Sequence, residues 1–301
     1  MGQSSSIPSG LPPTALHCLR VADSSPTDGL IEPYFDYLIG ITTPAPAQGQ
    51  GKGQDERYQH HDLSSLANVT GIEGGGDESS LNALGRVVEQ NEGKVLGLRV
   101  YNAKSQRIRD VHLIPSRAWS EAILSASGSG QQISSTNTNT NAPTTSPKPK
   151  PSLLGLSLRV CNPANALESV YHVLDVLEGS PAEMAGLVPW GDYVLAWSGG
   201  PLHSENDFYN LIEAHVDKPL RLFVYNSDLD NLREVILYPT RQWGGEGLIG
   251  CGIGYGLLHR IPRPSTPPSV AASASGQVDG YFNQEINRIS DHSRPAEGIA
   301  T

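Results

Sequence analysis

An internal repeat constrains this chain more than any local propensity, because both copies must fold to the same unit. His17-Cys-Leu-Arg-Val-Ala-Asp-Ser-Ser-Pro26 reads against His172-Val-Leu-Asp-Val-Leu-Glu-Gly-Ser-Pro181 at a constant offset of 155. Asp36-Tyr37 and Asp192-Tyr193 follow at 156. Lys94-Val-Leu-Gly-Leu-Arg-Val-Tyr-Asn102 then reads against Lys218-Pro-Leu-Arg-Leu-Phe-Val-Tyr-Asn226 at 124, and that offset holds through Pro115/Pro239, Arg117/Arg241 and Trp119/Trp243. Leu153-Leu-Gly-Leu-Ser-Leu158 matches Leu248-Ile-Gly-Cys-Gly-Ile253 at 95. The falling offset places insertions of 32 and 29 residues in the first copy, one between Ile41 and Ser80 and one between Trp119 and Leu153. Both inserts have the composition of loops. The first holds Gly49-Gln-Gly-Lys-Gly53 and Gly74-Gly-Gly76, and the second is rich in Ser, Thr and Asn and ends Pro-Lys-Pro-Lys-Pro. Such segments bury too little apolar surface to offset the entropy of ordering them.

Composition narrows the function classes. Glycine and proline make up 55 of 301 residues, which favours short strands and turns over long helices. A net charge of −10 repels a phosphate backbone, so no nucleic-acid partner is expected. No run approaches the ~18 apolar residues of a membrane span, and no apolar segment of a signal peptide follows Met1, so a soluble chain is expected. Cys18, Cys161 and Cys251 are an odd, widely spaced set without a Cys-x-x-Cys pair, read as free thiols. Neither a Gly-x-Ser-x-Gly elbow nor a His-Glu-x-x-His helix is present, and the repeat leaves no room for a catalytic domain, so no enzyme is expected.

Within the second copy the pattern predicts a strand over 170–177, a short helix opened by Ser180-Pro181 and closed by Gly186, and a strand over 192–197. A longer helix follows, capped by Ser204 with Asp207, whose Phe208, Leu211, Ile212 and Val216 share one face. In the first copy Ser80 takes the cap and Leu84, Val87 and Val88 the face. Strands over 220–225 and 233–238 end the pattern. Strand, Ser-Pro helix, Gly191-Asp-Tyr-Val194 strand and capped helix resemble a PDZ module. In the common arrangement the peptide-binding strand lies near the start of such a module. Here its candidates, 153–160 and 248–255, come last, since nothing before His17 matches them. The fold class expected is therefore α+β, mainly β: two tandem, circularly permuted PDZ-like domains with disordered inserts and tail.

Each late strand alternates apolar and small residues, one face covering a core and the other bared by glycine for close approach of a backbone. A groove between such a strand and the amphipathic helix suits an extended peptide, which adds to the sheet while backbone N–H groups hold its terminal carboxylate. The candidate peptide-binding residues are Leu153, Leu154, Gly155, Leu156, Leu84 and Val88 in the first module, and Leu248, Ile249, Gly250, Cys251, Phe208 and Ile212 in the second.

With Trp243-Gly-Gly-Glu-Gly-Leu-Ile-Gly-Cys-Gly-Ile-Gly-Tyr-Gly-Leu-Leu-His-Arg-Ile-Pro262 and an N-terminal Met1-Gly2, the tandem modules resemble the Golgi reassembly and stacking proteins, in a fungal-like form. The family's short Trp-Gly-Gly-x-Gly link is replaced after Trp119 by Ser-Glu-Ala and the long insert. The resemblance implies a lipidated segment over 1–12, a first domain over 13–161 with inserts about 42–79 and 120–152, a second over 162–262, and a disordered tail over 263–301. It implies a scaffold on the cytoplasmic face of cis-Golgi or ER exit site membranes, with self-association through the first module and binding of golgin coiled-coil or cargo-receptor tails. Met1-Gly-Gln-Ser-Ser-Ser6 fits N-myristoylation at Gly2, and one such chain holds a membrane only marginally without a second contact. The alternatives are a soluble adaptor without the lipid and a regulator of a protease. The resemblance also links His17 and Cys161 through zinc, although two ligands do not close a tetrahedral site; no other cofactor is expected. His60-His61-Asp62 reads as a solvated part of the first insert.

Overall fold

The computed structural model describes residues 11–44, 58–63, 77–120 and 152–263. The first copy forms β1 (Ala15–Val21), β2 (Asp36–Pro44), β3 (Tyr58–Asp62), α1 (Asp77–Gln90), β4 (Leu96–Asn102), β5 (Arg107–Leu113) and β6 (Leu156–Cys161). The second forms β7 (Tyr171–Val176), α2 (Pro181–Met184), β8 (Asp192–Trp197), β9 (Gly200–Pro201), α3 (Glu205–Ala214), β10 (Leu220–Asn226), β11 (Asn231–Leu237) and β12 (Cys251–Tyr255).

Each copy closes its own antiparallel sheet. The strand orders are β5-β4-β2-β1-β6 and β11-β10-β8-β7-β12, with the short β3 and β9 added to β2 and β8. The last strand of each copy therefore returns beside its first: Leu16 pairs Val160, and Gly254 pairs His172. Two permuted PDZ-like sheets result, as the pattern predicts. Both ladders carry a bulge at the same place, between Cys18 and Arg20 in the first and opposite Gly252/Ile253 in the second.

Two separate cores explain why the helices lie where they do. Leu84, Val87 and Val88 of α1 meet Leu16, Leu38, Leu98 and Val100, while Phe208, Leu211 and Ile212 of α3 meet Val173, Leu220, Leu222 and Val224. Each fully buried side chain of this kind contributes about 1.5–3 kcal/mol. A third cluster joins the copies: Phe35 meets Tyr225 edge-on at 4.8 Å, and Tyr34 meets Phe223 at 5.3 Å. Lys104 lies over the Phe35 and Tyr225 rings, bonded to Glu32 at 2.5 Å and Asp230 at 2.6 Å.

The repeat extends to polar details. Asp36 and Asp192 are fully buried. Asp36 accepts from Arg109 (2.9 and 2.6 Å), Asn102 (2.8 Å) and the Glu32 N–H (2.6 Å). Asp192 accepts from Arg233 (2.9 and 2.5 Å), Asn226 (2.8 Å) and the Val188 N–H (2.8 Å). Removing one partner from a buried pair leaves an uncompensated charge, at a cost of about 3–5 kcal/mol. His17 stacks on Tyr37 at 4.3 Å and bonds the Tyr34 carbonyl at 2.9 Å; His172 does the same with Tyr193 at 4.4 Å and the Trp190 carbonyl at 2.9 Å.

Four local expectations change. The first insert is not wholly loop: Tyr58–Asp62 pairs with Thr42 and its neighbours, since a fully extended stretch can satisfy its backbone on the open side of β2. His60 and His61 are accordingly not merely solvated, and bond Thr42 at 3.2 Å and Thr43 at 3.3 Å across that pair. Ser80 is not a cap, because α1 starts at Asp77 and Ser80 lies buried inside it. Val216 lies past the end of α3, which His215 terminates. The Ser204–Asp207 capping box and the Ser180 cap form as expected. Gly2, the insert over 121–151 and the tail from 264 lie outside the described residues.

Candidate peptide-binding grooves

β6 and β12 each end a strand order, so each offers its outer edge, and a helix runs above it. Between α1 and β6 lies a cavity of about 240 Å³ that touches Leu84 and Val88 of the helix and Leu153, Leu154, Leu156 and Leu158 of the strand region. Between α3 and β12 the equivalent cavity is about 500 Å³ and touches Phe208, Ile212, Leu248, Ile249, Gly250, Cys251 and Ile253. The candidate residues thus come together in each copy, except that Gly155 does not line the first cavity and lies instead against Ser25. Leu156 and Leu158 are only half-buried, as residues lining an unfilled groove should be, whereas Leu154 is 7% exposed and belongs to the core.

The turn entering each strand is built from the same parts. Gly155 (φ +78°) and Gly250 (φ +63°) adopt left-handed backbone. A side chain at either would meet the Ser of the Ser-Pro turn, Ser25 Cβ at 2.3 Å or Ser180 Cβ at 2.4 Å. Glycine is needed there on both counts. The carbonyls of this turn are occupied: Leu248 accepts from Thr240 N–H, Ile249 from Ala182 and Gly250 from Leu177. No hydrogen bond among the described residues uses the N–H of Leu248, Ile249 or Gly250. Buried N–H groups without partners are costly, so this row is suited to an anion. Arg241 lines the same end and has no ion-pair partner among the described residues. The first module fills part of this end itself. Ser152 Oγ accepts from Gly155 N–H at 3.0 Å, and Arg117 pairs with Glu92 and, at 3.8 Å, with Glu89.

Glycines on the outer face of β12 serve a different purpose from the one expected. A side chain at Gly252 would overlap Asp175 Oδ1 at 2.0 Å, and one at Gly254 would overlap His259 Nδ1 at 2.3 Å. The space they leave is taken by the chain's own side chains. Gly245-Glu-Gly247-Leu-Ile-Gly250 has Gly-x-Gly-x-x-Gly spacing, but it leads into a strand rather than from a strand into a helix, which is not the dinucleotide context.

His17 and Cys161 line one cavity of about 400 Å³. They do not fit a zinc site. His17 Nε2 donates to the Tyr34 carbonyl, Cys161 Sγ faces the Ala15 carbonyl at 3.7 Å, and burial pushes the Cys161 thiol up to about 11. Among the described residues no three His, Cys, Asp or Glu side chains are grouped to hold a metal. Burial likewise pushes Cys251 up to about 12, so its thiol in the second groove acts as a small apolar group.

Sequence reasoning missed Arg117 and Arg241 as groove residues, although both stood in the matched segments. It also missed the Asp36 and Asp192 hubs, whose signal was the shared offset of Arg109/Arg233 and Asn102/Asn226.

Two permuted PDZ-like modules in tandem, each with an edge strand beneath a helix, define a class of tandem PDZ-like protein. The chain matches the GRASP55/65 PDZ-like domain over residues 9–131 and again over 98–264. It is 36% identical over 286 residues to Golgi reassembly-stacking protein 1 of Mus musculus, covering 91% of this chain and 50% of that one. With the Homo sapiens protein of the same name the figures are 37% over 254 residues, 84% and 43%. GRASP65 homolog protein 1 of Saccharomyces cerevisiae is 24% identical over 245 residues, 80% of this chain and 56% of that one. The chain belongs to the Golgi reassembly and stacking protein family. It spans about half the length of the mammalian relatives it matches. No helix among the described residues is long and apolar enough to cross a membrane.

Proposed function

We propose that this chain is a scaffold of Golgi membranes that holds partner tails as added strands in its two grooves. The observation that carries the reading is the duplicated edge strand under a helix, with the unused N–H row at Leu248–Gly250 at the end of one copy. A main chain added to β6 or β12 gains ladder hydrogen bonds, and alternate side chains enter the apolar cleft. The names of the mammalian relatives place those proteins in Golgi reassembly and stacking, which supports the cytoplasmic face of cis-Golgi or ER exit site membranes as the site of action here. Golgin or cargo-receptor tails are the partners proposed, with self-association through the first groove.

The lipid at Gly2 is part of the same proposal. A myristoyl chain alone binds reversibly, and a groove occupied by a membrane-bound partner supplies the second contact through effective concentration. Liposome flotation of the chain treated with a myristoyltransferase tests the anchor. The wild type floats and Gly2→Ala stays in solution; equal flotation of both removes the anchor from the account. For the groove, Leu156→Asp is the cleaner substitution than Leu154→Asp, because Leu154 is core. Weaker self-association of Leu156→Asp in sedimentation, with unfolding unchanged in the second module, is expected; unchanged sedimentation removes the first groove from self-association.

A further inference from the structure

The repeat offsets pair each position of one groove with a position of the other, so a charge that differs between paired positions bears on what each selects. Glu89 and Glu213 occupy one equivalent place, and Arg117 and Arg241 another. Their charges are the same in both modules and so do not separate the grooves by sign. Arg20 and Asp175 also occupy equivalent places, on β1 and β7, and their charges are opposite. Arg20 pairs in register with Ser157 of β6, and Asp175 with Gly252 of β12. Cross-strand partners share a sheet face, so both charges lie on the outer face of the edge strand, away from the core. Each directly follows its ladder's bulge, a feature that re-aims the neighbouring side chain. Both side chains are exposed, and neither has an ion-pair partner among the described residues. Asp175 reaches over the β12 backbone, its Oδ1 in the space a side chain at 252 would fill, and it lines the second cavity, whereas Arg20 lies outside the lining of the first.

A peptide strand added to β6 or β12 presents its alternate side chains to this outer face, while the others enter the cleft under the helix. We infer that the two grooves select opposite charges at the same ligand positions: the second takes a peptide with a basic side chain facing Asp175, and the first one with an acidic side chain facing Arg20. This deepens the groove reading proposed above and rests on it. One scaffold then sorts two classes of tail by the sign of a single charge.

The test uses the full chain, labelled with ¹⁵N, and peptides of about ten residues with a C-terminal Leu. Lys, Glu or Gln stands at the first and third positions before that Leu. Amide shifts of Cys251–Ile253 report the second groove and those of Leu156–Leu158 the first. The second groove is expected to bind the Lys peptide about fivefold more tightly than the Glu peptide and the first to show the reverse order, the scale of exposed ion pairs. Both preferences fall toward unity at high salt. Asp175→Arg inverts the order at the second groove and Arg20→Asp at the first, with the Gln peptide little affected. Grooves that bind the Gln peptide but rank Lys and Glu alike, or keep their order after the exchange, overturn this inference while the groove reading stands. Where one groove alone binds, its own exchange decides by the same criterion. Binding of no peptide at either groove overturns both.

Discussion

The two modules share a frame and differ in how they finish it. In both, a buried Asp is clamped by Arg and Asn, and a His stacks on Tyr. A left-handed Gly sits against the Ser of the Ser-Pro turn. Besides the exchange of Arg20 for Asp175 along the sheet, a difference lies at the end of the groove. Ser152 stands where the second module has Gly247, and its hydroxyl occupies the N–H of Gly155. Glu92 stands where the second has Val216, and it holds Arg117, whose counterpart Arg241 is unpaired among the described residues. Trp243 Nε1 donates to the Gly247 carbonyl at 3.1 Å; in the first module Ser120 takes the Ser152 carbonyl instead, and Trp119 Nε1 is buried without a partner among the described residues. The comparison teaches that the repeat preserves what builds a groove and varies what an anion meets inside it.

The frame is where substitutions act most strongly and most equally. Arg109→Ala and Arg233→Ala each leave a buried carboxylate under-compensated and are expected to cost about 3 kcal/mol in urea unfolding. A large effect in one module only would show that the hubs are not equivalent. Gly155→Ala and Gly250→Ala force a side chain into left-handed backbone and against Ser25 or Ser180, for about 2 kcal/mol each by the same measurement. At the groove end the modules diverge. Arg241→Ala is expected to weaken binding of a free C-terminal peptide to the second groove about tenfold, the scale of one charge-assisted hydrogen bond, while Arg117→Ala changes the first groove's affinity little. Calorimetry with the same peptide checks both. Ser152→Gly, which copies Gly247 into the first module, frees the Gly155 N–H and is expected to tighten that groove about threefold.

The smallest effect is a pH dependence. Burial holds the His17 imidazole below its ordinary value of 6.5, so the folded chain prefers the neutral ring. Between that depressed value and 6.5 the unfolded chain binds more protons. The stability His17 contributes is therefore whole above pH 6.5 and is lost as pH falls below it. Unfolding free energy measured from pH 7.5 to 5 is expected to fall less steeply in His17→Gln than in the wild type. Parallel curves contradict this assignment.

What was legible in the sequence was periodic. The offsets located both copies, the alternation at 153–160 and 248–255 placed the closing strands, and the spacing of Leu84/Val88 and Phe208/Ile212 placed the cleft walls. What was hidden depended on contacts that no period encodes. The Asp36 hub joins residues far apart in sequence, and a strand such as Tyr58–Asp62, polar on both faces, is defined by its partner rather than by its own pattern. The glycines of β12 suggest room for a ligand because sequence shows a missing side chain but not which neighbour fills the space. Asp175 and His259 fill it. The substitution of Asp175 for Arg20 was visible in the first alignment of the copies, but its meaning required the register.

In the function proposed above, each module ends in an open strand, and the N–H groups of Leu248–Gly250 in the second hold a peptide's terminal carboxylate. The most direct measurement is a ¹⁵N titration of the full chain with one apolar-ended peptide, bearing either a free or an amidated C-terminus. The account predicts that the free acid shifts the Leu248–Gly250 amides at about tenfold lower concentration than the amidated form, with a much smaller difference at Leu153–Gly155. Equal response to the two forms at Leu248–Gly250, or no response there at all, would contradict it.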